Sequence, residues 1–431
     1  MAVINAFAQD AVDQAEPLTL DAAHARSCRA ALADAEVGTV GLEIEAHLVD
    51  LRAVPEPVPW PRVEQTTDAV RAVIRRSTVT VEPGGQLELS GQPEPDIVSA
   101  VHGLRHDWQG VRLALAEHGL GAAFAGADPL RPSRRTNPRP RYQAMEQHFT
   151  ATGRADPGAV MMNSTAALQV NVQAGLKKDW PSRVQLAHRL GPTMVAIAAC
   201  SPWLHGVDTG QKSVRQANWA RLDKRACGPV PGLDPAQTAA AADRDPAAAW
   251  AHYAMSAPVI IVGGRDDEAH PVCSSVTFGQ WASGRARLCG RQPTAADLDM
   301  HLSTLFPPVR LRGYLELRYM DVTAPRWWPA IAAVATTLMD DSVAADQAME
   351  ATERTAQRWT EAARHGLRDD MLADSARRCV AIAAERVPAE LGPAVADLAE
   401  LVESRRCPGD LLAGRIAKVG PLAAFEELAH A

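Results

Sequence analysis

The chain has 431 residues, 47% of them hydrophobic and 22% charged, and a formal net charge of -7. That length can bury a large core and leaves room for two or three domains, while the acidic balance excludes a general nucleic-acid binder, which needs a sustained basic field. The seven cysteines (28, 200, 227, 273, 289, 379 and 407) are scattered, odd in number and never spaced C-x-x-C, as suits free thiols in a reducing compartment. The start Met1-Ala2-Val3-Ile4-Asn5 lacks the basic residues of a signal peptide, and no apolar run approaches the roughly eighteen residues of a membrane helix. The expectation is a cytoplasmic protein without nucleic-acid or membrane partners.

Residues 1 to about 15 read as a loose lead-in, followed by a helix over 21–32 with Thr19 or Asp21 as N-cap. In Gly41-Leu42-Glu43-Ile44-Glu45-Ala46-His47 apolar residues alternate with polar ones, the pattern of a half-buried strand, so Glu43 and Glu45 share a face. His47 continues that face, either toward solvent or toward a metal or substrate. Prolines at 55, 57, 59 and 61 predict an extended loop over 49–62, then a short helix near 67–76. The stretch 80–90 places Gln86, Glu88 and Ser90 together beyond a Gly84-Gly85 turn that also carries Glu82. Apolar residues at three- and four-residue steps predict a helix over 97–118.

Residues 131–141 hold five arginines among three prolines and read either as a solvated loop or as a flap that meets an anionic ligand. A strand over 167–173 presents Gln169 and Asn171, and 182–200 is a buried helix. The tract with Arg215, Trp219, Arg221, Asp223, Lys224 and Arg225 follows; Trp219 either stacks on a ligand or packs in the core. An alanine-rich excursion over 229–246, a helix running into a strand over 250–262 and a helix over 294–306 lead to Tyr314-Leu315-Glu316-Leu317-Arg318, with Glu316 and Arg318 on one face. Beyond Trp327 the composition turns to alanine with charges at helical spacing. A catalytic region over 1–330, with its lead-in at 1–18, carrying a helical region over 331–431 is therefore expected.

Taken singly, each polar strand face is an ordinary exposed surface, and Glu316 beside Arg318 an ordinary ion pair. Taken together they line one surface with five glutamates and an arginine. Two carboxylates about 4 Å apart repel by roughly 4 kcal/mol at an effective dielectric near 20, so such a group needs cations or protons. Oxygen donors at this density suit magnesium or manganese. The sequence has no G-x-x-x-x-G-K-[ST] loop, G-x-G-x-x-G, H-E-x-x-H or G-x-S-x-G. Nucleotide use would therefore rest on metal ions bridging phosphates to the glutamates, with the arginine facing the transferred phosphoryl group.

Four motifs resemble plant-type glutamate-cysteine ligase in order and spacing over residues 38–330. They are Gly-Leu-Glu-Ile-Glu at 41–45, Glu-Pro-Gly-Gly-Gln-Leu-Glu-Leu-Ser-Gly at 82–91, Leu-Gln-Val-Asn-Val at 168–172, and the long run from His301 to Arg318. Within that family the chain is most similar to the actinobacterial branch that makes gamma-glutamylcysteine for ergothioneine synthesis. The resemblance implies an α+β fold with a glutamine-synthetase-like curved antiparallel sheet, outer helices, and ATP with two or three magnesium ions, or manganese, as cofactors. Its substrates are glutamate and cysteine, and its state a monomer or homodimer. It implies Glu43, Glu45, Glu82, Glu88 and Glu316 as metal ligands, Gln169 and Asn171 near the nucleotide, Arg318 and Glu316 as catalytic residues, and Arg215, Trp219 and Arg225 as substrate contacts. Other carboxylate-amine ligases and guanidino or amine phosphotransferases share this kind of sheet. After Glu-Leu-Arg the family continues Gly-Ala-Asp-Gly-Gly-Pro, whereas this chain has Tyr319-Met320-Asp321-Val322-Thr323-Ala324-Pro325. No cysteine pair stands out as a redox switch, so constitutive activity is expected.

Overall fold

Alternation of apolar and polar residues organises the chain around one antiparallel sheet of seven strands. The computed structural model describes residues 16–233, 245–264 and 268–430; the lead-in expected over 1–15 and most of the excursion expected over 229–246 lie outside the described residues. The strands are β1 (Val40–Asp50), β2 (Ser77–Val81), β3 (Leu87–Gly91), β4 (Leu120–Ala123), β5 (Ala167–Gln173), β6 (Val309–Leu311) and β7 (Tyr314–Asp321). Their order is β6-β7-β5-β1-β3-β2, and β4 pairs with the last four residues of β1. All four strands expected from the motifs are present and adjacent.

The apolar set of each strand points to one side. Leu42, Ile44, Leu87, Leu89, Leu168, Val170, Leu315 and Leu317 are buried there. The first helices are α1 (Leu20–Ala31), α2 (Trp60–Val73) and α3 (Ile97–Glu117). Their successors are α4 (Pro140–Ala151), α5 (Ala155–Asn163), α6 (Trp180–Ala198), α7 (Val214–Trp219), α8 (Pro246–Ser256), α9 (Ala295–Ser303) and α10 (Trp328–Asp340). Helix α3 packs on β1 and β3, α6 on β7, and α10 on β5. Further helices from Ser342 to His430 continue this layer, and one core cluster runs from Ala23 through the sheet to Val402.

Local chemistry accounts for the helix starts. Thr19 accepts from the Ala22 amide at 3.3 Å and Asp96 from the Ser99 amide at 2.7 Å, the side-chain caps of α1 and α3. Helix α2 begins at Trp60, inside the stretch expected to be a loop. Pro61 falls in its first turn, where a missing N–H costs nothing, so the proline run ends a loop and opens a helix. No helix among the described residues is long and apolar enough to cross a membrane.

Two irregularities shape the polar face. Between the pairs Leu317/Val170 and Met320/Leu168, β7 advances three residues while β5 advances two, a β-bulge at Arg318–Tyr319. Tyr319 stays on the core side, donating its hydroxyl to the Ala187 carbonyl at 3.2 Å. Asp321 instead comes to the opposite side, accepting from Ser201 Oγ (2.6 Å), Ser213 Oγ (2.9 Å) and the Cys200 amide (2.9 Å). That network ties the end of α6 and the start of α7 to the sheet.

The second irregularity is the turn between β2 and β3, closed by the Glu82 amide on Gln86 O at 2.8 Å and the Gly85 amide on Glu82 O at 2.9 Å. Gly85 has φ +90°, and a Cβ on Gly84 would lie 2.2 Å from the carbonyl oxygen of Asn163. The turn therefore rests directly on the C-terminus of α5. Gly84→Ala is expected to lower stability by about 1–3 kcal/mol and to reduce activity more than its melting temperature alone explains, as read by thermal unfolding and initial rates.

Candidate active site

The period of two carries the acidic residues to one face, and register brings them together. Glu45 stands opposite Glu88 across β1 and β3; Glu43 stands opposite Ser90 on one side and Gln169 on the other. Directly opposed like charges are unfavourable. They border a cavity of about 430 Å³ that Glu43, Glu45, Glu82 and Glu88 line from the sheet. Tyr142 and Met145 of α4, Met161 and Met162 of α5, Arg215 and Trp219 of α7, and Phe306 close its far wall.

Each carboxylate has a defined environment. Glu43 accepts from Asn171 Nδ2 at 2.8 Å, Glu45 from the Ala167 amide at 2.8 Å and Gln169 Nε2 at 3.3 Å, and Glu88 from Thr80 Oγ1 at 2.7 Å. Burial, reinforced by Glu88 and Glu316, raises the Glu43 carboxyl to about 7; burial and Glu88 raise Glu45 to about 7 as well. Burial with Glu88 and Glu45 pushes Glu82 well above the usual carboxylate range. Glu316 behaves oppositely. Burial alone would raise it, yet Arg310 and Arg318 hold its carboxyl down at about 2.

The cavity is also lined by six arginines, at 139, 141, 215, 310, 312 and 318. Arg310 lies directly opposite Glu316 across the β6–β7 hairpin and grips it with two nitrogens, Nη2 at 2.9 Å from Oε1 and Nε closer still. Arg318 Nη1 stands 3.2 Å from Glu316 Oε2 and donates to Gln169 Oε1 at 2.5 Å. Arg215 donates to the Arg318 carbonyl at 2.8 Å, faces Asp321 at 3.8 Å and lies 5.0 Å over the Trp219 ring. Trp219 donates to the Phe306 carbonyl at 3.0 Å.

Thus Glu43, Glu45, Glu82, Glu88, Gln169, Arg215, Trp219 and Arg318 come together. Glu316 is fully buried behind the arginines it holds. Asn171 borders a second hollow of about 490 Å³ on the other side of Glu43 and Ser90, with Thr39, Gly41 and Tyr314. Arg225 lies outside both, ion-paired to Asp223 at 2.6 Å. His47 matches neither of its expected settings, being buried with Nε2 3.1 Å from the Ala125 carbonyl, because β1 exchanges its neighbour for β4 there. Gln86 turns inward to donate to the Thr165 carbonyl at 2.9 Å. Arg310 and Arg312 were not anticipated, although Val309-Arg310-Leu311-Arg312 repeats the same alternation.

The donor set fits a hard divalent cation. These half-buried, mutually repelling carboxylates, with Glu43 and Glu45 raised to about 7, lack enough positive charge of their own. Among the described residues no three carboxylate, imidazole or thiol groups stand close enough to cage an ion unaided. The oxygens ring a cavity instead, leaving room for water and phosphate, which is how magnesium is ordinarily held.

A family model described as glutamate-cysteine ligase family 2 matches residues 39–418. The chain belongs to that family. Among its members, the glutamate-cysteine ligase EgtA of Mycolicibacterium smegmatis is 48% identical over 92% of this chain and 92% of its own length. EgtA of Mycobacterium tuberculosis is 44% identical over 93% and 91%. The fold is also that of a solved glutamate-cysteine ligase from Francisella tularensis, crystallised with AMP, at TM-score 0.51 and 12% identity over 93% of this chain and 88% of that one. Family membership agrees with the motifs at 41–45, 82–91, 168–172 and 301–318.

Two outcomes are expected for the site. Glu45→Gln removes a half-buried charge opposed by Glu88, so the metal-free melting temperature should hold or rise while turnover falls by roughly orders of magnitude. Arg310→Leu removes the two-pronged partner of the Glu316 carboxylate and leaves it to Arg318 and Arg312, which should cost about 1.5–3 kcal/mol in chemical denaturation. Adding Glu316→Gln to Arg310→Leu should recover much of that stability without recovering activity.

Proposed function

We propose that this chain joins the gamma-carboxylate of glutamate to the amine of cysteine at the expense of ATP, giving gamma-glutamylcysteine for ergothioneine biosynthesis. The observation that carries this reading is the carboxylate face with Arg318 at its edge, in a chain of the glutamate-cysteine ligase family. Its chemistry is phosphoryl transfer to a carboxylate followed by attack of an amine on the acyl phosphate, with ADP and then phosphate as leaving groups.

Glu43, Glu45, Glu82 and Glu88 are the side chains that would hold magnesium, whose chemistry here is to neutralise phosphate charge and polarise the transferred group. Glu316, carried over as a fifth ligand, meets Arg310 and Arg318 in this structure and fixes their direction. Arg318, held by Gln169 and Glu316, places a guanidinium where charge develops on the phosphoryl oxygens. Arg215 and Trp219 position an amino-acid substrate against it. The less charged hollow bordered by Asn171 and Tyr314 is the place for the base and ribose, so phosphates and amino acids meet over the carboxylates.

With purified protein, ATP, magnesium, glutamate and a panel of amines, mass spectrometry should find gamma-glutamylcysteine with one ADP per peptide bond. Chelation of the divalent ion should abolish it and added magnesium restore it. ADP release with an amine other than cysteine, or a phosphorylated product without a peptide, would replace this reading by a different ligase or a phosphotransferase.

A further inference from the structure

The arginine-proline segment 131–141 is neither solvated throughout nor loose, because one side chain fastens it. Asn137 is completely buried, an unusual setting for asparagine unless its amide is satisfied. Its Nδ2 donates to the Val81 carbonyl at 2.9 Å, and its Oδ1 accepts from the Arg139 amide at 3.1 Å. The Asn137 and Thr136 amides both donate to the Pro83 carbonyl, at 2.9 and 2.8 Å. Its own carbonyl accepts from Arg135 Nη1 at 2.9 Å, while Arg135 Nε is held by Glu146 at 3.0 Å. Val81 and Pro83 flank Glu82, so the segment is bolted to the turn that bears that carboxylate.

The two arginines that follow stand apart from the others in the cavity. Arg215, Arg310, Arg312 and Arg318 each face Asp321 or Glu316 within 4 Å. Among the described residues neither Arg139 nor Arg141 has a carboxylate partner at that distance. Arg141 reaches Ser303 Oγ only at 3.5 Å and lies 5.7 Å from the Tyr142 ring. Its Nε is buried and has no acceptor. A guanidinium with an unmade buried N–H lining a cavity is costly unless a ligand supplies the oxygen.

We propose that Arg141, with Arg139, binds an oxyanion of a substrate, carboxylate or phosphate, and that Asn137 is the positioning residue that holds this lip against the Glu82 turn. The guanidinium fork matches either anion with paired hydrogen bonds. Segment 131–141 thereby gains a ligand-binding role, one that rests on the ligase reading above for its substrates.

The test is steady-state kinetics on the intact enzyme with magnesium, varying ATP, glutamate and cysteine in turn, beside calorimetric titration of each substrate and thermal unfolding. Arg141→Gln should raise one KM, with the matching Kd, on the order of 10- to 100-fold and leave the melting temperature unchanged; Arg141→Lys should recover part of it. A rise confined to ATP makes the anion a phosphate, and a rise confined to glutamate or to cysteine makes it that substrate's carboxylate. Asn137→Ala should raise the same constant, and the double variant should lose less than the product of the two single losses, because the clamp acts through the arginines it places.

Unchanged constants in Arg141→Gln, or a common rise in all three, overturn the binding role. An Asn137→Ala loss that multiplies with that of Arg141→Gln, or that appears only as lowered melting temperature, overturns the positioning role. If the alanine variant does not fold, Asn137→Asp, which keeps the acceptor for Arg139, is read by the same criteria. Failure of the wild type to make gamma-glutamylcysteine would strike the ligase reading instead, and the titrations would still decide whether Arg141 holds an anion.

Discussion

Repulsion among carboxylates on a single sheet face is the constraint on which the rest of the molecule depends. Glu45 and Glu88 are directly opposed, and Glu43 and Glu82 complete a group that no surrounding arginine fully neutralises. Such a face persists only if something stronger holds the strands in register. That force is the other side of the same strands, where leucines, isoleucine and valine are buried under α3, α6 and α10. A slip of one residue would exchange the two sets, so the hydrophobic core enforces the very crowding that makes the polar face useful.

Arginine and glutamate divide the electrostatic work unevenly. At the β6–β7 end, Glu316 is satisfied by Arg310 and Arg318 and its carboxyl stays ionised across ordinary pH. At the β1–β3 end, burial and like charge favour proton uptake or a cation. The site is thus polarised along the sheet, with fixed positive charge at one end and an appetite for positive charge at the other.

Much of this was legible in the sequence because period-two alternation survives folding unchanged. The pattern at 41–47, 80–90, 167–173 and 314–318 specified faces, and the shared face followed once the strands were taken as neighbours. Helices over 20–31 and 97–117 matched their expected spans within a residue. Residues whose role depends on tertiary neighbours were less legible. His47 continues the alternation but falls where β1 changes partner; Pro61 serves a helix start as readily as a loop. The far wall is a different case. Tyr142, Met145, Met161 and Met162 sit on amphipathic helices, and a side chain facing a cavity has the same spacing as one facing the core. Arg225 shared a tract with Arg215 and Trp219, yet the turn after α7 carries it to the surface.

The bulge in β7 links chain length to the site. By placing one extra residue opposite β5, it allows Arg318 to face the carboxylates and still brings Asp321 to the side where Ser201, Ser213 and Arg215 meet it. If the same residues ran on in regular alternation, with no bulge, Met320 would occupy the polar side and Asp321 would be driven into the leucine layer. The side of the sheet taken by the aspartate that anchors α7, relative to Arg318, is therefore set by this irregularity and not by simple alternation. A bulge thus lets Arg318 and Asp321, which regular alternation would put on opposite faces of the strand, serve the same side of the sheet.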